Sequence, residues 1–559
     1  MVIAVKNKTM FQILLFILLT QLGIHSDEIC SSPLTNEQII EIDKISLRDV
    51  PKGAPGIACG IVIDGQIVYT KYAGYARLED SLLIDENSRF NIASNAKQFV
   101  AIMALELINQ GKLSLEDDIR NFYPDFYPGI NRPITIRNLL THSSGIRDVY
   151  DLWNLKGMTW WEHSFSNNDV IMLLSNQKEL NFIPGSQYSY SNSNYILLAE
   201  IIGKVEGELF SSLSDDFFNR LGMLDTSFEV DYENISQPIA SPYFNFNTWT
   251  GYEWIWNAVG DGNLFSSMKD QLRWEQIIQG YVTDVLSKKI IKLSQLPIEG
   301  SEIKSYGYGL EISDYNDYQH LFHHGGTGAM KATLSRFPSE SISIITLSNS
   351  GKTDVVDQNR KIANVLLSID TDLKSYLTEP ETVGDYVSED EILGVYLTEN
   401  EYAFNFVRKE DGLYLSRSGR NDVLLQRESD NTFNQVYDPA FKQEFVRNGE
   451  GVLLVTAYYN THGPFTLRKV EVEWEDFDFN TLNGTYLNDE IDLELNINYI
   501  NGTDYMINVG DYETKGMLLN RAKMLVDGYS LDIEIIQGDK TIYLNSDRAK
   551  RVRFKYGTK

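Results

Sequence analysis

Cysteine is scarce in this sequence: Cys30 and Cys59 are the two that occur in 559 residues. Two cysteines cannot form a disulfide framework. Cys59 lies in the apolar run GIACGIVI and is expected to be a small buried residue. Cys30 follows DEI, which lacks the small residues that precede a lipid-modified cysteine, so lipidation is disfavoured. The sequence leaves a single Cys30–Cys59 bridge open.

Positive charge is also in short supply. Lys and Arg total 49 against 78 Asp and Glu, which gives a net charge of -29. Such a chain repels phosphate backbones and anionic lipid, so nucleic acid is excluded as an expected partner. The contents of 43% hydrophobic and 23% charged residues are those of a globular protein. The length predicts two to four domains rather than one core.

Long apolar runs are missing beyond the N-terminus. There, Lys6 and Lys8 precede the run MFQILLFILLTQLGI, and Ser26 follows as a small residue before DE. This pattern is typical of an export signal over residues 1–26, cleaved after Ser26. The run is short for a membrane span of roughly 20 residues, and an uncleaved anchor is the alternative. We therefore expect a secreted, periplasmic or cell-envelope location.

The pattern over residues 27–372 predicts one α+β domain. Two β-rich runs flank Asp64-Gly65, a strong hairpin signal. Helical spacing follows Ser94, with Gly111 placed to end that helix, and recurs around 135–141, 194–205 and 268–280. The strand-like ATLSRFPSESISIITLSNS and an amphipathic helix over 355–369 complete the segment. Strands at both ends imply that N- and C-terminal strands share a sheet.

The C-terminal third has a different character. Residues 373–390 are acidic and poor in large apolar groups, which indicates a linker. Beyond them, short alternating runs separated by turn residues predict an all-β region. LGVYL at 393–397 and NGTYL at 483–487 each open a similar series of strands. We predict two tandem β-barrel modules over residues 391–476 and 477–559.

Ser94 and Lys97 are the first candidates for chemistry. They lie one helical turn apart after FNIA, at the start of the most regular predicted helix, where backbone N–H groups are still unpaired. The spacing alone is a weak signal, because Ser175, Ser266 and Ser301 also precede a lysine by three positions. An isolated match is more often an N-cap serine with a surface lysine.

Two further segments carry candidate residues. Tyr190 and Asn192 lie in PGSQYSYSNSNY, just before a predicted helix, where the plain alternative for Tyr190 is a half-buried aromatic. The segment HHGGTGAMK places His324, Gly325 and Gly326 before an expected edge of the sheet. Adjacent glycines let a ligand approach the backbone, and free N–H groups there can hold an oxyanion.

No metal or cofactor is expected. His323 and His324 are neighbours on a predicted strand and so face opposite ways, and the remaining histidines form no ligand pattern with them.

Taken in order, FNIASNAKQF, IRNLLTHSSGI, PGSQYSYSNSNYILLAEII, GDGNLFSSMKDQLRW, YGYGL and HHGGTGAMKATLSRFP resemble one family over about residues 40–370. It is the group of serine hydrolases that includes class C β-lactamases, D-alanyl-D-alanine carboxypeptidases, esterases and D-aminopeptidases. The resemblance implies a β-lactamase/transpeptidase-like domain, an antiparallel sheet flanked by helices. The all-β region behind it is expected to form lipocalin-like barrels.

The resemblance also implies roles for residues. Ser94 would be the acylated nucleophile, Lys97 its hydrogen-bonded partner, and Tyr190 would complete the proton relay. Free lysine titrates near ~10.4 and free tyrosine near ~10, so either needs a shifted pKa to act as a base near neutrality. The sequence leaves open which of the two is the base.

The substrate-facing roles implied by the resemblance fall on the remaining residues. Asn192 would orient the substrate amide or Lys97, and His324 and Gly326 would be the ends of the third motif around Gly325. The oxyanion hole would use the backbone N–H groups of Ser94 and Thr327.

One departure bears on the substrate. Many β-lactamases and carboxypeptidases have lysine where this sequence has His324, and a mostly neutral imidazole should capture a carboxylate more weakly. This favours the esterase, D-aminopeptidase and peptidase branches. The C-terminal modules resemble those attached to D-aminopeptidases and archaeal peptidases. They would narrow access to Ser94, mediate assembly or bind a surface polymer.

The sequence therefore predicts an exported serine hydrolase that cleaves an amide or ester bond in a peptide, D-amino-acid derivative or ester. The alternatives are a penicillin-binding carboxypeptidase or β-lactamase, and a sensor that is acylated without turnover. An adhesion protein ranks lower, because aromatics at 402, 404, 406 and 414 alternate like core residues. A small-molecule or peptide substrate is the expected partner, with cell-envelope association and a homo-oligomer left open.

Overall fold

The computed structural model describes residues 34–235, 238–369, 385–398, 403–416, 422–436, 441–458, 464–470, 477–526 and 529–557. The predicted signal at 1–26, Cys30 and most of the predicted linker lie outside the described residues. Cys59 is fully buried, as predicted. Among the described residues, no helix has the length and apolarity that crossing a membrane requires.

A six-stranded antiparallel sheet organises residues 34–369, which we call the α+β domain. Its strands are β1 Ile57–Ile63, β2 Gln66–Ala73, β10 Glu311–Tyr315, β11 Tyr318–Thr327, β12 Met330–Phe337 and β13 Ile342–Ser348. They lie in the order β10-β11-β12-β13-β1-β2 across the sheet. Because β1 pairs with β13 from Ile57↔Ser348 onward, the predicted sharing of one sheet by N- and C-terminal strands is confirmed.

The predicted hairpin turn lies between β1 and β2. Asp64 and Gly65 have φ of 48° and 73°, which is the left-handed pair that a two-residue hairpin turn requires. β1 is buried on both faces because helices cover both. Ile57 and Cys59 face one apolar cluster, and Ala58 and Val62 face another. The sheet is therefore the middle layer of three.

Helices of the α+β domain form the two outer layers. Asn36–Leu47 and Val355–Leu366 cover one face of the sheet. The other helices are Lys97–Asn109, Ile136–Leu140, Val149–Leu155, Asn167–Ser175, Asn192–Glu206, Phe210–Leu221, Met268–Ile278 and Lys288–Ser294. Short 3₁₀ turns span Ala93–Ala96, Ile119–Asn121, Tyr232–Asn234 and Pro338–Glu340. The predicted helices around 135–141, 194–205, 268–280 and 355–369 are each present within a few residues.

Smaller strands connect these layers. They are β3 Tyr75–Arg77, β4 Leu82–Leu83, β5 Arg89–Asn91, β6 Ser227–Phe228, β7 Tyr243–Asn245, β8 Trp249–Gly251 and β9 Leu264–Ser267. β5, β9 and β6 form a separate small sheet. β5 delivers the chain to Ser94.

Two closed antiparallel barrels follow, as predicted. The first barrel comprises β14 Gly394–Leu397, β15 Ala403–Lys409, β16 Gly412–Ser416, β17 Val423–Arg427, β18 Thr432–Gln435, β19 Lys442–Arg447, β20 Leu453–Tyr458 and β21 Phe465–Lys469. The helix Glu389–Ile392 precedes it. Phe404 and Phe406 lie in its core, while residue 402 is outside the described residues.

The second barrel repeats this plan. Its strands are β22 Gly484–Asn488, β23 Leu493–Asn501, β24 Asp504–Val509, β25 Tyr512–Asn520, β26 Lys523–Val526, β27 Tyr529–Ile536, β28 Asp539–Asn545 and β29 Val552–Tyr556, after a 3₁₀ turn at Phe479–Leu482. Tyr396 opens the first barrel and donates to the carbonyl of Ile392 at 3.0 Å. Tyr486 opens the second and donates to the carbonyl of Leu482 at 2.9 Å. The two barrels thus share not only their strand plan but also this hydrogen bond from a tyrosine to the carbonyl four residues before it.

The second barrel is joined to the α+β domain by a buried ion pair. Arg147 Nη1 lies 2.9 Å from Glu490 Oε2, and the two side chains are 1% and 6% exposed. Arg147 also donates to Gln177 and to the carbonyls of Lys550 and Arg551. Apolar residues of the second barrel belong to the same core cluster as those of the α+β domain, whereas the first barrel has a cluster of its own.

Candidate active site

Ser94 stands at the tip of a sharp turn between β5 and the helix Lys97–Asn109. The preceding residue, Ala93, has φ of 47°, a left-handed conformation that costs a non-glycine residue of order 1 kcal/mol or more. The Asn91 side chain stabilises this turn by accepting the Ala93 N–H at 2.9 Å. Ser94 is half-buried between fully buried neighbours and opens into a cleft. The turn therefore presents its hydroxyl outward.

Lys97 lies buried directly behind Ser94. Its Nζ is 3.1 Å from Ser94 Oγ, 3.0 Å from Asn192 Oδ1 and 2.6 Å from the carbonyl of Asp261. The two carbonyl-type oxygens can only accept, so they hold two N–H bonds of the amine. The remaining position of a neutral amine, its lone pair, then faces the serine hydroxyl. This arrangement suits a base that takes the Ser94 proton.

Asp148 fixes the orientation of Asn192. Its Oδ2 accepts the Asn192 backbone N–H at 2.7 Å and Nδ2 at 2.9 Å. Because Nδ2 is held by the carboxylate, Oδ1 must face Lys97. Asp148 was missed from the sequence, although it lies two residues beyond the IRNLLTHSSGI segment.

Tyr190 completes the group around Ser94. Its hydroxyl donates to Ser94 Oγ at 2.8 Å. The Tyr190 ring packs against the buried His142 with ring centroids 4.3 Å apart. His142 is itself held through Nδ1, which accepts the Ser191 N–H at 3.2 Å. The structure thus brings Ser94, Lys97, Tyr190 and Asn192 together.

Burial separates the pKa values of the two candidate bases. It lowers the pKa of Lys97 to about 8, against the opposing charges of Asp261 and Asp148. It raises the pKa of Tyr190 well above its usual 10, and the hydrogen bond to Ser94 offsets this only in part. Lys97 therefore loses its proton at a lower pH than Tyr190, which favours Lys97 as the base and Tyr190 as the proton donor.

The third motif lies on β11, where pairing with β10 ends at Phe322. Gly325 faces the nucleophile turn, because a Cβ there would meet the Ile92 carbonyl at 2.3 Å. Gly326 and Thr327 line the cleft with Ser94. The close approach at Gly325 gives a physical reason for a glycine in this motif. The oxyanion role of the Ser94 and Thr327 N–H groups stays a prediction.

The two histidines of this segment occupy different faces of β11. His324 points to the face away from Gly325, where its Nδ1 is 2.8 Å from Thr333 Oγ1. His323 is buried on the inner face, 3.0 Å from the Tyr306 hydroxyl and 6.1 Å from the Tyr190 ring centroid. The structure therefore brings His323, rather than the side chain of His324, to the catalytic group.

Neither histidine offers a cation near neutrality. Burial lowers the pKa of His323 to about 3, helped by the charge of Lys97, and lowers the pKa of His324 to about 4. His323 Nδ1 must donate to the carbonyl of His324, so its Nε2 accepts from Tyr306. His323 is thus a neutral part of the wall behind Tyr190.

The cleft in front of Ser94 is small and aromatic. Its volume is about 280 Å³. Its apolar lining comes from Trp153, Trp160, Phe165, Trp254 and Trp256. Asp261 adds a carboxyl group whose pKa burial raises to about 6, and its Oδ2 accepts the Tyr150 hydroxyl at 2.8 Å. Such a cleft has room for a small group and offers it mainly apolar contacts.

One cation in the cleft comes from the second barrel. Arg548, in the link between β28 and β29, lines the same cavity as Ser94 and Tyr190. The sequence contains no local signal for it, since it lies hundreds of positions from the motifs. The sequence instead drew attention to YYNTHGPF as a loop that could reach a cleft, and residues 459–463 of that segment lie outside the described residues.

Comparison with known proteins gives a consistent picture. The family model described as Beta-lactamase matches residues 46–367. Protein flp of Staphylococcus aureus (strain N315) is 28% identical over 335 residues, which cover 56% of this chain and 64% of that protein. Penicillin-binding protein 4* of Bacillus subtilis (strain 168) is 27% identical over 311 residues, which cover 51% and 66%. The chain thus matches slightly less than two thirds of each relative's length.

Solved structures share the fold. The octameric penicillin-binding protein homologue from Pyrococcus abyssi has a TM-score of 0.55 at 21% identity, covering 77% of this chain and 100% of that chain. SurE with D-Leu has a TM-score of 0.52 at 18% identity, covering 78% and 98%. D-amino acid amidase from Ochrobactrum anthropi SV3 has a TM-score of 0.50 at 20% identity, covering 59% of this chain and 99% of that chain. The predicted β-lactamase/transpeptidase-like fold is confirmed.

Proposed function

The chain belongs to the beta-lactamase family, and from this premise we propose that it is an exported serine hydrolase that cleaves an amide or ester bond through an acyl-enzyme on Ser94. One observation carries the proposal: Ser94 Oγ lies 3.1 Å from Lys97 Nζ and 2.8 Å from the Tyr190 hydroxyl. Acylation of a serine needs a base that takes the hydroxyl proton and an acid that gives a proton to the leaving group.

Acylation follows from this geometry. Neutral Lys97 takes the Ser94 proton as Oγ forms a bond to the substrate carbonyl carbon. The oxyanion that develops is held by the Ser94 and Thr327 N–H groups. Tyr190 then gives its proton to the leaving nitrogen or oxygen as that bond breaks, and regains a proton from Lys97 through the shared network. The acyl group remains on Ser94.

Deacylation uses the same groups in reverse. A water molecule takes the place of the leaving group and attacks the ester carbonyl, losing a proton to the Tyr190–Lys97 network. Ser94 regains its proton and the acid product leaves. Asn192 keeps Lys97 aligned in both halves, because Asp148 holds its amide in one orientation.

The size and lining of the cleft support a small substrate. Its volume of about 280 Å³ suits a small peptide, a D-amino-acid derivative or a short ester rather than a folded protein. The neutral state of His323 and His324 makes the third motif itself a weak site for a carboxylate, unlike the lysine that many β-lactamases have there.

The test is the intact mass of the protein after exposure to a fluorophosphonate and, separately, to a penicillin, with peptide mapping of the adduct. We expect a fluorophosphonate adduct on Ser94, turnover of a p-nitrophenyl ester and no lasting penicilloyl adduct. Ser94→Ala should lower ester turnover by about 1,000-fold or more. Ser175→Ala is the matched control, since Ser175 also precedes a lysine by three positions but lies outside the cleft.

The other possible outcomes would assign this chain a different function. A stable penicilloyl-Ser94 would indicate a penicillin-binding carboxypeptidase or a sensor, and one adduct per chain without turnover would favour the sensor. Labelling elsewhere than Ser94 contradicts the nucleophile assignment. The intact mass of protein secreted by an exporting host tests export. Cleavage after Ser26 would remove residues 1–26 and leave a chain that begins at Asp27.

A further inference from the structure

The second barrel extends one loop, residues 546–551, across the edge of the α+β domain. Its backbone is fixed there by hydrogen bonds. The Arg548 N–H donates to Asp151 Oδ2 at 2.6 Å, and the Arg548 carbonyl accepts the Asp148 N–H at 3.1 Å and Asn181 Nδ2 at 3.0 Å. Ser546 Oγ donates to the same Asp151 carboxylate at 2.9 Å. The position of Arg548 is therefore set by the domain junction.

The Arg548 guanidinium has no hydrogen-bond acceptor in the part of the chain that the structure describes. Its Nε is buried without a hydrogen-bond partner. Its ion pairs are long, with Nη1 3.7 Å from Asp148 Oδ2 and Nε 3.5 Å from Asp547 Oδ2, and neither contact forms a hydrogen bond. A guanidinium offers five donors, and this side chain is 34% exposed, so donors other than Nε are accessible to solvent or to a ligand.

Two of the acidic groups near Arg548 already accept other hydrogen bonds, and a third, Asp547, is 87% exposed. Asp148 is fully buried, and its Oδ2 accepts both N–H groups of Asn192. Asp261 Oδ2 accepts the Tyr150 hydroxyl. The Arg548 guanidinium carbon lies 5.9 Å from the Tyr190 ring centroid, so the cation stands beside the proton donor of the proposed reaction. Arg548 also lines the cavity that contains Ser94 and Tyr190.

We infer that Arg548 is a specificity residue, and that it binds a carboxylate of the substrate while the substrate carbonyl lies at Ser94. This inference rests on the proposed function and deepens it. The planar guanidinium fork matches a carboxylate with two parallel N–H···O bonds. The third motif supplies no cation, so in this protein the second barrel supplies it.

The experiment compares matched substrates that differ only in the carboxylate. In the first pair the difference lies on the acyl side: mono-p-nitrophenyl glutarate ends in a carboxylate, and p-nitrophenyl valerate ends in a methyl group at the same position. An N-acetylated D-dipeptide acid and its C-terminal amide place it on the leaving side. Rates are measured at about pH 9, above the Lys97 pKa of about 8, with spontaneous hydrolysis subtracted.

For at least one pair, Arg548→Gln should lower kcat/KM for the carboxylate substrate by about 10- to 100-fold and change the neutral partner less than about 2-fold. Arg548→Lys should recover part of the preference, because the charge remains without the fork. The matched control is Arg553→Gln, which removes a junction ion pair to Glu179 outside the cleft. It should leave both substrates of each pair unaffected.

Equal losses for acid and neutral substrates in Arg548→Gln would overturn the inference and assign Arg548 to the junction alone. The same holds if no pair shows a preference in the wild type. A binding measurement separates this failure from that of the proposed function. Tryptophan fluorescence of Ser94→Ala, whose cleft contains four tryptophans, should report tighter binding of the dipeptide acid than of the amide. Adding Arg548→Gln should abolish that difference, even if the wild type turns over no substrate.

Discussion

The two barrels have the same plan and different places in the molecule. Each is closed, and each opens on a tyrosine that donates to the carbonyl four residues before it. The first barrel packs around its own core, whereas the second shares a core with the α+β domain and places Arg548 in the cleft. Two barrels of one plan thus differ in their relation to the cleft, and the difference lies in a few residues at the junction.

The largest expected effect comes from breaking the junction. Arg147→Ala leaves Glu490 buried without its cation and removes donors from two carbonyls of the barrel loop. Breaking a buried pair in this way costs about 3–5 kcal/mol. We expect a correspondingly lower free energy of unfolding in urea and loss of the preference for carboxylate substrates.

The matched change in the first barrel is Lys409→Ala, which removes a partly exposed ion pair to Asp422. Exposed pairs contribute about 0–1 kcal/mol, so stability and activity should both stay near those of the wild type. If the two variants destabilise the protein equally, the contrast between the barrels is wrong.

The opening tyrosines allow a symmetrical comparison of intermediate size. Tyr396→Phe and Tyr486→Phe each remove one buried hydrogen bond, a loss of about 0.5–1.5 kcal/mol. Activity measured along a thermal ramp should fall at a lower temperature for Tyr486→Phe than for the wild type. For Tyr396→Phe it should follow the wild type, while far-UV circular dichroism reports earlier melting of strand structure. Coincident activity losses would show that both barrels support the cleft.

The smallest expected effect is a shift of the pH profile. The pKa of Lys97 is lowered to about 8, first by burial, and the charge of Arg548 contributes to the lowering. Because the reaction needs neutral Lys97, kcat/KM for a neutral ester should rise with pH through about 8. Arg548→Gln removes a nearby positive charge and should move this limb to higher pH.

The control for the pH profile is Arg408→Gln on the first barrel, where Arg408 pairs with Glu389 and Asp390. Arg408→Gln should leave the pH at which kcat/KM rises unchanged. A limb that moves equally in both variants would reflect overall charge rather than the position of Arg548.

Local patterns predicted most of the fold. The Asp64-Gly65 turn, the helix behind Ser94 and the paired openings at residues 394 and 484 each depend on residues close together in sequence. The α+β sheet followed from strands at both ends of one segment. These features could be predicted because backbone conformation and apolar periodicity are local properties.

The site was predictable only where a motif contained it. Ser94, Lys97, Tyr190 and Asn192 meet as expected, though their catalytic roles stay predictions. Side-chain direction on β11 separates His323 from His324, which adjacency in the sequence could not decide. Asp261 lies within the quoted segment GDGNLFSSMKDQLRW, but the motif alone assigned it no role. Asp148 and Arg548 lie outside the quoted motifs and could not be selected among 78 acidic and 49 basic residues, because only the tertiary fold brings them to Lys97.

The position of Arg548 late in the chain has a consequence for biosynthesis. Chains emerge from the ribosome N-terminus first, and domains generally fold in that order. Ser94, Lys97 and Tyr190 all lie within residues 34–369, which are made long before residue 548. The core of that domain is completed only by apolar residues of the second barrel. If Arg548 binds the substrate carboxylate as proposed, the site is therefore complete only after the second barrel docks.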